Sequence, residues 1–77
     1  MQQKEYYFSV AMPYSECKPL YTGGIKYALL TADTGERVQV PAINLRPMIT
    51  RVGIKGRFRL IINHHNKIIS FEKISDY

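Results

Sequence analysis

The stretch Arg57-Phe58-Arg59-Leu60-Ile61-Ile62-Asn63-His64-His65-Asn66-Lys67-Ile68-Ile69-Ser70-Phe71 decides how this chain folds. Phe58, Leu60 and Ile62 recur at every second position, with Arg57 and Arg59 between them. Successive side chains of a strand leave opposite faces, so Arg57–Asn63 reads as a half-buried strand, apolar inward and cationic outward. His64-His65-Asn66 is a polar break, and the chain returns as a strand over Lys67 to Ile74, with Ile69 and Phe71 expected inward.

Working back from it, Lys26–Ala32 and Glu36–Val40 are two further strand-like runs. Asp33-Thr34-Gly35 joins them with turn chemistry: Asp33 capping the backbone, and Gly35 taking a positive φ. Val38 and Val40 alternate with Arg37 and Gln39, and Pro41, lacking an N–H, is expected to end the pairing. Tyr6–Met12 is aromatic and β-branched and supplies the first strand. Ser15 is expected to cap a short helical turn through Glu16, Cys17 and Lys18, limited by Pro19 and terminated at Gly23-Gly24. Residues 42–55 form the longest irregular connection, with Ile43 and Leu45 plugging one end of the core and Pro47 turning Arg46 away from the helical region. The expectation is a mainly β fold, a small five-stranded antiparallel barrel-like sheet with one short helical turn; α+β is the alternative. The pairing of the first strand stays open.

The chain has 77 residues, enough for a single domain over 1–77 with its core at about 6–74. Apolar residues make up 45% and charged residues 22%, which excludes a disordered composition. The longest aliphatic run is Leu60-Ile61-Ile62, far short of the roughly 20 residues of a membrane span. No apolar segment follows Met1-Gln2-Gln3-Lys4-Glu5 as in a secretory leader, and the one cysteine, Cys17, has no disulfide partner. These features point to a cytoplasmic protein without membrane contact. A chain this short buries only about 60% of its unfolded surface, so a surface-binding role suits it better than a deep catalytic cleft.

Charge is unevenly distributed. The net charge is +5, yet no Asp or Glu lies between Arg37 and Phe71. That stretch carries Arg37, Arg46, Arg51, Lys55, Arg57, Arg59 and Lys67, whereas the remainder sums to −2. Arginine forks suit phosphate and carboxylate recognition. Arg57 and Arg59 project together from one strand, with Arg37 beside them if its strand pairs there. Arg46, Arg51 and Lys55 extend the patch, and Tyr7 or Tyr27 is available to stack a base, as on small β-barrels that take single-stranded nucleic acid. The plainer alternative is a solvated face that keeps a thin sheet wet and blunts its edges.

The remaining chemistry-bearing residues read as structural. Arg46 and Arg51 are separated by four residues, and no Asp/Asn-x-Ser-x-x-Gly motif follows, unlike the cyclic-dinucleotide loop of PilZ domains. His64-His65 sits at a hairpin tip where neighbouring side chains diverge, with no acid nearby to complete a metal site. Cys17 lacks a Cys-x-x-Cys partner and reads as a small core filler. Gly53-x-x-Gly56 lacks the Lys and Ser/Thr of a phosphate loop.

Several phrases occur together in order: Tyr6-Tyr7-Phe8-Ser9, Ser15-Glu16-Cys17 with Pro19-Leu20-Tyr21, Thr31-Ala32-Asp33 with Gly35, Arg37-Val38-Gln39-Val40-Pro41-Ala42, Leu45-Arg46-Pro47 and Gly53-Ile54-Lys55-Gly56-Arg57-Phe58-Arg59-Leu60. In this order the chain resembles a family of short gamma-proteobacterial proteins known as domain of unknown function 2835, over about residues 6–74. The resemblance implies a stand-alone bacterial cytoplasmic protein and carries no catalytic residues with it.

The functional expectation is a non-catalytic binding domain, without cofactor or metal, whose partner is RNA or DNA held through Arg37, Arg57 and Arg59. The alternative is a protein-interaction adaptor or a homo-oligomeric structural protein that uses a strand edge or the Ile43–Ile54 loop.

Overall fold

Alternation builds the larger of two sheets. In a computed structural model describing residues 3–76, β4 (Ile54–Ile62) runs between β1 (Lys4–Met12) and β5 (Ile68–Ser75), antiparallel to both. Residues 1, 2 and 77, which the sequence reading counts in the domain, lie outside the described residues. Phe8 lies opposite Phe58 and Tyr6 opposite Leu60, so one face of the sheet is apolar. Phe58 and Phe71 stack with centroids 5.4 Å apart and planes 5° from parallel, and Phe8 tilts onto Phe71 at 6.4 Å.

The second sheet is the hairpin of β2 (Tyr27–Thr31) and β3 (Arg37–Pro41). Its turn closes through Gly35 N–H donating to the Ala32 carbonyl, with Gly35 at φ 92°, where only glycine sits without strain. Ala28, Leu30 and Val40 point into the core, and Tyr27 and Leu29 are exposed. The helices α1 (Tyr14–Thr22) and α2 (Ala42–Leu45) bury Cys17, Leu20, Ala42 and Leu45 against the same core. A turn of 3-10 helix, Arg46–Met48, leads toward β4.

The fold is mainly β with small helices, but no closed five-stranded barrel forms. The sheets are open, with three and two strands. The hairpin tip is joined to β1 by the Asp33 N–H donating to the Tyr7 carbonyl at 2.8 Å. β3 pairs with neither β4 nor β5. The physical reason is length: β2 and β3 have five residues each against nine in β1 and β4, too few to run along the larger sheet and close it.

Local expectations change for equally local reasons. The helical segment is longer than one turn, because Pro19 lies inside α1 instead of ending it. Its missing N–H and ring cost helix stability, which burial of Cys17 and Leu20 offsets. Pro13, not Ser15, occupies the N-cap position, and Gly23 at φ 87° stops the helix, with Ile25 N–H reaching the Pro19 carbonyl. Pro41 does not end the hairpin pairing. Ala32 N–H to the Glu36 carbonyl and Ala42 N–H to the Lys26 carbonyl set the alternation, which turns the backbone groups of residues 37, 39 and 41 to the open side. A proline there loses no ladder bond.

Ile69 was expected inward, yet it is half exposed. Ile68 pairs with Ile62 and Ser70 with Ile61, so Ile69 is the extra residue of a β-bulge and is flipped out of the core. Phe71 faces inward as expected, and Ile68 takes the inner position in place of Ile69. The His64 and His65 rings do not diverge; their centroids lie 4.0 Å apart at the turn.

Candidate nucleic-acid interface

The eight residues expected to form one basic face are divided among three places. Arg57 and Arg59 do project together from the outer face of β4, where Tyr7 of β1 lies opposite Arg59 and Ser9 opposite Arg57. Strand alternation brings acids to the same face. Arg57 donates through Nη1 and Nη2 to both carboxylate oxygens of Asp33, at 2.9 and 2.6 Å, and through Nη1 to Ser9 Oγ at 2.8 Å. Arg59 donates through Nη2 to Glu72 Oε2, and Tyr7 gives its hydroxyl proton to Glu5 at 2.8 Å. The Asp33 carboxyl is held below its ordinary range by the hydrogen bonds from Arg57, outweighing its partial desolvation. Asp33 was expected to cap the turn backbone. It clasps the hairpin tip to the larger sheet instead, and Thr34 Oγ1 accepts the Glu36 N–H.

Lys55 is exposed on the same outer face, opposite Ala11. Arg37 and Tyr27 lie elsewhere, on the hairpin, because β3 does not pair with β4. They line a groove of about 390 Å³ together with Tyr6, Val38, Leu60, Ile62 and Ile68.

Arg46 and Arg51 sit in a hollow of about 700 Å³ lined by Tyr14, Tyr21, Arg46, Ile49, Thr50 and Arg51. Its walls come from three local structures. Tyr14 and Tyr21 are seven residues apart on α1 and so share a face; their rings stand 6.3 Å apart and their hydroxyls are hydrogen-bonded at 2.9 Å. That bond raises the Tyr21 phenol above its ordinary value. Arg46 is fixed by Nε donating to the Leu20 carbonyl at 2.8 Å, in the last turn of α1, where a cation also meets the negative end of the helix. Its terminal nitrogens have no partner among the described residues.

Arg51 rides on a tight turn in which Thr50 and Gly53 exchange backbone hydrogen bonds at 2.8 and 3.0 Å. Gly53, at φ 104°, lies so close to the Met12 carbonyl that a Cβ there would overlap it. No carboxylate lines this hollow. Beyond Arg46 a second hollow of about 380 Å³ continues past Ile25, Lys26, Tyr27 and Ile43. The two share Arg46, so three tyrosines, two arginines and a lysine lie along one connected surface.

The family model described as protein of unknown function (DUF2835) matches residues 4–74. The chain belongs to the DUF2835 family. No curated protein and no solved structure matches it.

In this DUF2835 chain, sequence reasoning missed Tyr14, Tyr21 and Lys26 as site residues. The signal was present: Tyr14 and Tyr21 have the i, i+7 spacing of one helix face. Treating Pro19 as the end of the helix concealed it. Among the described residues, no group of three or more His, Cys, Asp or Glu side chains is placed to hold a metal ion, and no helix is long and apolar enough to cross a membrane. Cys17 is fully buried, and burial pushes its thiol up, out of the range of a reactive thiolate.

Proposed function

We propose that this protein is a non-catalytic binding domain for single-stranded nucleic acid, and that the binding surface is the tyrosine–arginine hollow with its extension past Lys26. The observation that carries this reading is the lining: two arginines face two tyrosine rings with no carboxylate among them. Guanidinium groups hold phosphates, and aromatic faces stack bases that a single strand leaves free and a duplex does not. Arg57 and Arg59 suit the role less well, since Asp33 fills the Arg57 fork and Glu72 holds one terminal nitrogen of Arg59. The acid-free central stretch matters through Arg46 and Arg51, whose positions in a loop keep them away from strand-borne carboxylates.

The test is fluorescence anisotropy of a labelled 12-nucleotide single strand, about one groove-length for such a surface, titrated at several salt concentrations. Binding should weaken with a log–log salt slope of about −2 if Lys26, Arg46 and Arg51 each neutralise a phosphate. Duplex DNA of the same length should bind less tightly. No binding even at low salt removes this reading.

A further inference from the structure

The groove beside β3 carries a separate inference. β3 is the edge of the smaller sheet and β5 the edge of the larger, and between them lies the 390 Å³ groove where the barrel fails to close. Alternation directs the N–H and C=O groups of Arg37 and Gln39, and the carbonyl of Pro41, to the open side of β3. The floor of the groove is apolar, with Leu60 buried and Ile62 and Ile68 only partly covered. Arg37 stands at the rim, and its side chain has no partner among the described residues.

We propose that this gap is a strand-addition site, taking an extended segment of a partner protein that alternates apolar and acidic residues. The open backbone of β3 would provide the ladder bonds, as in other cases of β-augmentation. Inward-pointing side chains of the guest would cover Ile62 and Ile68, completing the sandwich that three strands against two leave short. Its outward side chains fall beside Arg37, which favours a carboxylate there, while Glu36, the one acid lining the groove, accepts a hydrogen bond from the Tyr6 hydroxyl at 3.4 Å. The net charge of +5 attracts such a segment from a distance. The same charge opposes a second copy of this chain, and two β3 edges pairing about Gln39 would also meet Pro41, which has no N–H to give.

The experiment titrates the ¹⁵N-labelled full chain with a synthetic nonapeptide alternating valine and aspartate, and with its valine–lysine counterpart. The amide signals of Arg37 and Gln39 should move and gain protection from exchange with the acidic peptide alone. Gln39→Pro, which takes away an outward N–H and no hairpin ladder bond, should abolish the response while leaving the signals of the larger sheet in place, and Arg37→Asp should weaken it about tenfold. Shifts confined to Tyr14, Tyr21, Arg46 and Arg51, or none at millimolar peptide, would overturn the proposal. So would a doubled sedimentation mass with Arg37 and Gln39 already protected in free protein, which would make a second copy the occupant. An intact response to the peptide in a chain that fails to bind nucleic acid would leave this inference standing and remove the other.

Discussion

Two cationic regions of this molecule differ in what their backbone brings with them. On the outer face of the larger sheet, Arg57 and Arg59 sit on a central strand, flanked by β1 and β5 and reached by the hairpin turn. Each neighbouring strand delivers side chains at fixed lateral spacing, and Asp33, Ser9 and Glu72 arrive within hydrogen-bonding distance. In the tyrosine–arginine hollow, Arg46 and Arg51 come from a 3-10 turn and a tight bend facing a helix, and the facing residues are tyrosines. Equal charge in sequence therefore becomes a structural clasp in one place and an open cationic surface in the other. Arginine count alone does not distinguish the two; neighbours do.

The most disruptive way to break this contrast is Gly53→Ala. A methyl group there meets the backbone at Met12–Tyr14 in a left-handed conformation, so both the strand entry and the Arg51 turn must shift. Stability should fall by more than about 3 kcal/mol, as read from urea denaturation. A loss within experimental scatter would mean the turn is not the tight anchor described. Next in size is the double reversal Arg46→Glu with Arg51→Glu. It should weaken single-strand binding at least about tenfold and flatten the salt slope, with the far-ultraviolet circular dichroism unchanged.

Arg57→Glu with Arg59→Glu sharpens the comparison from the other side. Both substitutions place carboxylates against Asp33 and Glu72. The urea midpoint should drop, whereas single-strand affinity at about 0.15 M salt, where screening acts over about 8 Å, should change little. If affinity collapses and stability holds, the functional assignments of the two regions must be exchanged.

The smallest effect is the pH dependence of the clasp. The folded-state pKa of Asp33 is depressed by its hydrogen bonds from Arg57. Its contribution is therefore present above the unfolded carboxylate pKa of about 3.9 and is lost as pH falls through the lower folded value. Asp33→Asn should remove that part of the acid-side loss and leave the neutral-to-alkaline slope as it was, measured by thermal unfolding from pH 2 to 7. Identical acid profiles for the two proteins would show that the ion pair adds nothing to stability.

Much of this organisation was legible from residue order. The period-two patterns of Phe58-Leu60-Ile62 and Val38-Val40 specify which faces are buried, and Asp33-Thr34-Gly35 specifies a turn, because these depend on side-chain alternation and on local backbone freedom. The charge-polarised stretch was equally plain. By itself, then, the sequence determined the strands, two hairpins and the presence of unpaired positive charge somewhere in the central region.

Strand partnership was not legible. β4 pairs with the distant β1, while β3 stays outside that sheet, and so Arg37 never joins Arg57 and Arg59. The bulge that expels Ile69 is likewise a property of two strands in register, not of either alone. Whether an arginine is free depends on residues such as Asp33, 24 positions away, or Glu72, 13 positions away. Electrostatic and packing energies act through space at a few ångströms. Only the tertiary structure, which sets those distances, decided that Arg57 and Arg59 are clasps and that Arg46 and Arg51 face open tyrosines.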